Sequence, residues 1–196
     1  MSIMSDHTKK IIVNLGDAPY CKVSLFEIMA VERLWKVYEK LSIDRYWDKR
    51  DIFRGLLDMI WDAIKSNDLI DDKYLEICDE NNLDTIRQEI DTVSNDVINA
   101  IGTLIDEMNK KKSINVKYFV NINFEFLDKF IYWKYDLQIS TESDDFVNNH
   151  ELIKQEIEKQ NTIIDKITSE ESFDVIYAWC KQNCGDSILG EYWFDL

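Results

Sequence analysis

The chain is poor in residues that interrupt regular structure: among 196 residues there are one proline and five glycines. So few interruptions argue against a many-turned β-fold and favour long helices. Histidine is equally scarce, at His7 and His150 alone, which leaves little from which to build an imidazole metal site. Positive charge is outnumbered, with 23 Lys and Arg against 38 Asp and Glu, for a formal net charge of −15. That balance speaks against nucleic acid or an anionic membrane as a partner and is compatible with a basic protein. The plainer alternative is an ordinary solvated acidic surface. No apolar run approaches the ~20 residues of a membrane span, and the start MSIMSDHTKK lacks the apolar core of a signal peptide. The four cysteines, Cys21, Cys78, Cys180 and Cys184, are therefore expected to be reduced thiols of a cytoplasmic protein. Cys180 and Cys184 lie one helical turn apart. No second ligand pair follows at zinc spacing, so buried thiols are the preferred reading, and no metal or cofactor is expected.

What is present is apolar and aromatic. Hydrophobic residues make up 45% of the chain, with six Trp, nine Tyr and nine Phe, which excludes a disordered polymer. The length suits one domain over residues 1–196, burying roughly 70% of the unfolded surface, with residues 1–10 frayed. The chain is organised around residues 24–66. Val31, Leu34, Trp35, Tyr38 and Leu41, then Phe53, Leu56, Leu57, Ile60, Trp61 and Ile64, each step along one helical face. The short break between them suits an antiparallel turn that makes the two stripes face each other. Ser24 and Glu27 have capping-box spacing and are expected to start the first helix, and Asp48 or Asp51 the second.

Elsewhere, residues 10–15 (KIIVNL) read as a short strand or extended arm, and residues 68–82 as a short acidic segment. A long helix is predicted from about Asp84 to Lys111, its interior Gly102 pointing to close packing and Lys110 to Lys112 suiting its terminus. Residues 114–137 fit strand alternation at first and helical steps throughout; length and context favour a helix. A polar loop is expected over 140–149, a helix over 146–168, a last helix over 171–183, and an exposed aromatic tail. The fold class is thus all-α, a single-domain multi-helix bundle of about six to eight helices, with room for one short N-terminal strand.

Catalytic constellations are missing. HELIKQE, beginning at His150, has Gln155 near where the zincin motif needs a second histidine, and no Glu stands three residues before His150 as a di-iron helix requires. No nucleophile elbow, phosphate loop or dinucleotide fingerprint occurs. Neighbouring acids such as Asp71-Asp72, Asp144-Asp145 and Glu170-Glu171 do not face each other on a helix and read as surface. Glu32, Arg33, Asp58 and Trp61 lie on or beside the apolar stripes and read as structural, with an ion pair between Arg33 and Asp58 expected because a buried Arg needs a partner.

VERLWKVYEKLS followed by DIFRGLLDMIW resembles an uncharacterised helical bacterial family that shows C-E-R-x-x-P-x-Y-x-x-F and L-R-x-x-L-D-x-x-W. HELIKQEIEKQNTIIDKI is similar to that family's H-P-L-x-x-x-E-x-x-x-Q-x-x-L-L, and GDSILG to its G-x-S-N-I-G. The matching positions are Glu32, Arg33, Tyr38, Leu57, Asp58, Trp61, His150, Glu156, Gln160, Gly185, Ser187, Ile188 and Gly190. Leu34-Trp35, Glu151 and Leu189 depart from the pattern. Such helical proteins also look like the immunity proteins encoded beside bacterial polymorphic or contact-dependent toxins. The resemblance implies a non-enzymatic protein that binds and neutralises a basic toxin domain such as a nuclease. Residues 140–196 carry 13 acidic against 4 basic residues, so the partner-binding surface is expected at Asp144, Asp145, Glu170, Glu171 and Asp174, anchored by Tyr192 and Trp193. The alternatives are a helical scaffold or adaptor, including a homodimer, and an enzyme built on His150 with neighbouring carboxylates. The pattern assigns no oligomeric state.

Overall fold

The helix on which the others pack starts a turn earlier than the capping-box spacing predicts. Pro19, its φ already near helical, is followed by α2 (Tyr20–Asp44), and the Pro19 carbonyl accepts from the Lys22 and Val23 N–H groups at 2.9 and 3.1 Å. Ser24 lies inside the helix with its hydroxyl donating to the Tyr20 carbonyl, and Glu27 is buried rather than reaching back to cap it. The capping-box reading is corrected on both residues. The computed structural model describes residues 2–44, 49–80, 92–190 and 192. The expected helix starts at Asp48 and Asp84 and the anchor Trp193 lie outside the described residues; Asp51 sits in the first turn of its helix, after Lys49.

Among the described residues nine helices form one all-α domain: α1 (Ile3–Leu15), α2, α3 (Arg50–Ser66), α4 (Lys73–Glu80), α5 (Val93–Lys110), α6 (Val116–Lys134), α7 (Thr141–Asn149), α8 (Glu151–Ile167) and α9 (Phe173–Asn183). Val23 to Trp35 are buried on every face of α2, so it is a central helix that packs on α3, as the facing stripes predict, and also on α5, α6, α8 and α9. α3 keeps the one-sided stripe read from sequence, with Phe53, Leu56, Leu57, Ile60, Trp61 and Ile64 buried.

Four expectations are overturned. Residues 10–15 belong to α1, because His7, Thr8, Ile11 and Leu15 share one buried face against α6 and α8 while Ile12 and Val13 point to solvent. The same face orders residues 3–10, which were expected to fray. Residues 140–149 are largely helical: Ser140 caps α7 by accepting from the Ser143 N–H at 3.1 Å, and Val147 is buried beneath it. The helix expected over 146–168 is two helices, broken at His150. The 114–137 segment is helical, as its context predicts, with Phe119, Ile122, Phe126 and Phe130 buried. No helix among the described residues is long and apolar enough to cross a membrane.

Gly102 of α5 faces α4: a β-carbon there would stand 3.4 Å from Cys78 Cβ. Gly102→Ala is expected to hold or raise the thermal midpoint, since contact is admissible and helix propensity improves by about 1 kcal/mol. Gly102→Leu is expected to cost about 1–3 kcal/mol in urea denaturation and to expose the buried Cys78 thiol to labelling.

Candidate functional site

Burying α2 on every face forces a partner on each of its charges. Glu32 finds three donors on α3. Arg54 grips it bidentately at 2.6 and 2.8 Å, and the Trp61 indole N–H donates at 2.7 Å. Arg54 also reaches Asp58 at 2.9 Å and lies over the Trp35 ring. Burial works against the Arg54 charge, but Glu32 and Asp58 outweigh it and hold the guanidinium above its usual range. Arg33 turns to α8 instead and pairs with Glu156, both side chains being almost fully buried. The expected Arg33–Asp58 pair is therefore wrong: Asp58 is largely exposed and belongs to Arg54. The sequence pattern gave no register between α2 and α8, so Glu156 was not identifiable as the partner.

Glu156 is the hub of a second network. Its Oε1 accepts from Asn123 at 3.1 Å and Gln160 at 2.8 Å; Gln160 also donates to the Val120 carbonyl and meets His7 at 3.1 Å. Arg33, Glu156 and Gln160 thus converge with α1 and α6. The 185–190 loop folds over this region, with Ile188 and Leu189 buried and Gly190 at φ +52°. Lys159 holds Asp186 of this loop below the usual carboxylate range, with a smaller contribution from Arg33.

Glu27 meets Glu107 of α5. The Glu107 Oε1 accepts the Ile114 and Asn115 N–H groups at 2.6 and 2.5 Å and so ties down the turn into α6, while Ser113 approaches Glu27 at 3.3 Å. Burial, then the Glu107 charge and a hydrogen bond to it, push the Glu27 carboxyl well above its ordinary range. Glu27 therefore holds its proton more tightly than an ordinary glutamate.

Both ring nitrogens of His150 face a partner. It ends α7 and caps α8, its Nδ1 accepting from the Leu152 N–H at 3.2 Å and its Nε2 facing the Tyr135 hydroxyl at 3.3 Å. Burial lowers its pKa, which matches a neutral cap. Around it gather Tyr135, Phe146 and Tyr192, with ring centroids 5.5, 5.7 and 5.7 Å from the imidazole. Lys134 lies over both Tyr135 and Tyr192, at 5.8 and 5.2 Å. Phe146 is 43% exposed and Tyr135 39%. Asp144 and Asp145 are exposed on the same α7, and Asp144 accepts from the Tyr132 hydroxyl at 2.8 Å, which raises that phenol to about 12.

Of the expected partner-binding residues, Asp144, Asp145 and Tyr192 therefore share one end of α8. Glu170, Glu171 and Asp174 are exposed at its other end, about 25 Å away over seventeen residues, with Glu171 held by Lys166. Tyr135 and Phe146 were not singled out from sequence, because a helix and a loop boundary hid their convergence. Among the described residues no group of three His, Cys, Asp or Glu could hold a metal. Cys180 and Cys184 are free thiols, both pushed up by burial, Cys180 to about 12.

The family described as "Protein of unknown function (DUF416)" matches residues 14–184. A search of curated proteins found no match. Among solved structures, the crystal structure of a DUF416 family protein from Shewanella baltica OS155 is similar, with a TM-score of 0.76 and 20% identity over 91% of this chain and 96% of that one.

Arg33→Ala leaves Glu156 as an uncompensated buried charge and is expected to cost about 3–5 kcal/mol in urea denaturation, part of which returns in Arg33→Met with Glu156→Gln. Glu27 binds its proton more tightly folded than unfolded, so its contribution to stability is lost as pH rises from the unfolded carboxyl range towards its raised folded value. Glu27→Gln is therefore expected to melt like the parent near pH 4 and above it at pH 8. Parallel melting curves at all pH values would refute the raised Glu27 carboxyl.

Proposed function

Because this chain belongs to the DUF416 family, whose description carries no activity, we propose its function from its surface: it is a non-enzymatic binding protein that captures a basic protein. The reading that best fits the charge is an immunity protein that neutralises a toxin domain such as a nuclease. The observation that carries it is the aromatic group of the exposed Tyr135 and Phe146 with the half-buried Tyr192, beside the exposed Asp144 and Asp145. Lys134 already sits over two of these rings, so the cluster accepts a cation within its own chain, and a partner's Arg or Lys finds the same π-faces and the same carboxylates. Aromatic anchors ringed by charge are the usual composition of a tight interface, and the −15 net charge speeds encounter with a basic protein. Glu170, Glu171 and Asp174 extend the negative field to the far end of α8.

Co-expression of the tagged protein with the product of the adjacent open reading frame tests this reading. The expected result is recovery of a basic domain that is lethal when expressed alone. Phe146→Ala and Tyr192→Ala are each expected to weaken that complex by about 2 kcal/mol or more. Reversing Asp144 and Asp145 to Lys is expected to slow association at least tenfold, an effect that added salt diminishes. Unchanged binding by all these variants would remove the surface from consideration, and recovery of a second copy alone would favour a homodimeric scaffold.

A further inference from the structure

Positive charge is scarce here, yet three lysines gather at one place. Lys111, Lys112 and Lys117 rim a cavity of about 420 Å³ between the end of α1, the start of α2 and the turn into α6. Among the described residues neither Lys112 nor Lys117 makes an ion pair, and the Lys111 ammonium reaches only the Asn67 carbonyl, at 3.3 Å. Beneath these charges the walls are apolar: Leu15, Ala18, Val23 and Val116, with Ile12 and Ile114 left 38% and 57% exposed.

The cavity does not stop there. A second one, of about 580 Å³, shares Ile12 and Lys117 with it and continues between α1 and α6 past Met4, Thr8 and Phe124 to Glu125 and Asp128. From Lys117 to Asp128 the trough follows eleven residues of α6, about 16 Å. Its two ends differ in sign, and burial pushes the Glu125 and Asp128 carboxyls up, so the far end disfavours negative charge.

We propose that this trough binds one long-chain aliphatic anion, a fatty carboxylate. Its head lies among Lys111, Lys112 and Lys117, and its chain lies along α1 towards Phe124. The lysines supply the counter-charge, the apolar walls take the chain, and the acids at the far end fix which way it enters. The combined volume falls within the range of small-molecule sites. A concave trough walled by two helices fits a single chain better than a bilayer surface, and an anionic bilayer would also meet the repulsion of the whole molecule's negative charge.

Calorimetric titration of the full chain with sodium dodecanoate, below its micelle concentration and at low salt, tests the assignment. The expected result is one site per chain, at least tenfold weaker binding of dodecanol, and at least tenfold loss in the Lys112→Glu/Lys117→Glu double variant. Ile12→Asp is expected to lose binding as well. All three side chains are exposed, so these variants keep the fold, which circular dichroism checks. Absence of binding, equal affinity for the alcohol, or indifference to the double variant would overturn the proposal. So would binding to phosphatidylglycerol vesicles without uptake of monomeric dodecanoate, which would make the patch a membrane contact.

Discussion

Three ionisable side chains within about two turns of the buried stretch of α2 set the arrangement of everything around it. Glu27, Glu32 and Arg33 cannot be left in the interior without opposite charge or donors, and each is met by a different helix: α5, α3 and α8. Apolar packing holds these helices against α2 but is indifferent to small slides along it. The bidentate Arg54 grip, the Arg33–Glu156 pair and the Glu27–Glu107 carboxyl pair are not indifferent, because each works in one register alone. Glu107 carries the constraint further, fixing the turn that launches α6 through two backbone N–H groups.

How much of this could be read beforehand follows from the range of each interaction. Stripes within one helix are local, so α3, α6 and the all-α class were legible from spacing. α1 was misread because its Ile-Ile-Val run suits a strand, whereas the face that matters is set four residues apart by His7, Ile11 and Leu15. α7 was misread because its polar composition hides a serine cap. Arg33 was recognised as a residue in need of a partner, but Glu156 stands 123 positions later, and no local pattern specifies which carboxylate a helix bundle will deliver. Glu32, Arg33, Glu156 and Gln160 all find their partners on other helices.

The surface reading has the same logic in reverse. The acids expected at the C-terminal third are exposed, but sequence distance misjudged their grouping: α8 holds Asp144 and Glu170 apart while bringing Asp144 near Tyr192. What the sequence concealed was the aromatic component, since Tyr135 ends one helix, Phe146 rides on another, and His150 between them looks like a catalytic residue while it serves as a cap. The lysines of the α5–α6 turn likewise suit a helix terminus when read alone, and acquire a second meaning beside an apolar trough.

The joint at His150 has a consequence for diversification. One residue closes α7 and opens α8, with no linker between them, so the pose of α7 is inherited from a helix anchored deep in the core through Glu156 and Gln160. Substitutions can rewrite the outward face of α7 residue by residue without tilting it, whereas a single inserted residue at the joint would displace the whole face. The chemistry of this face and its position are thus set by different residues.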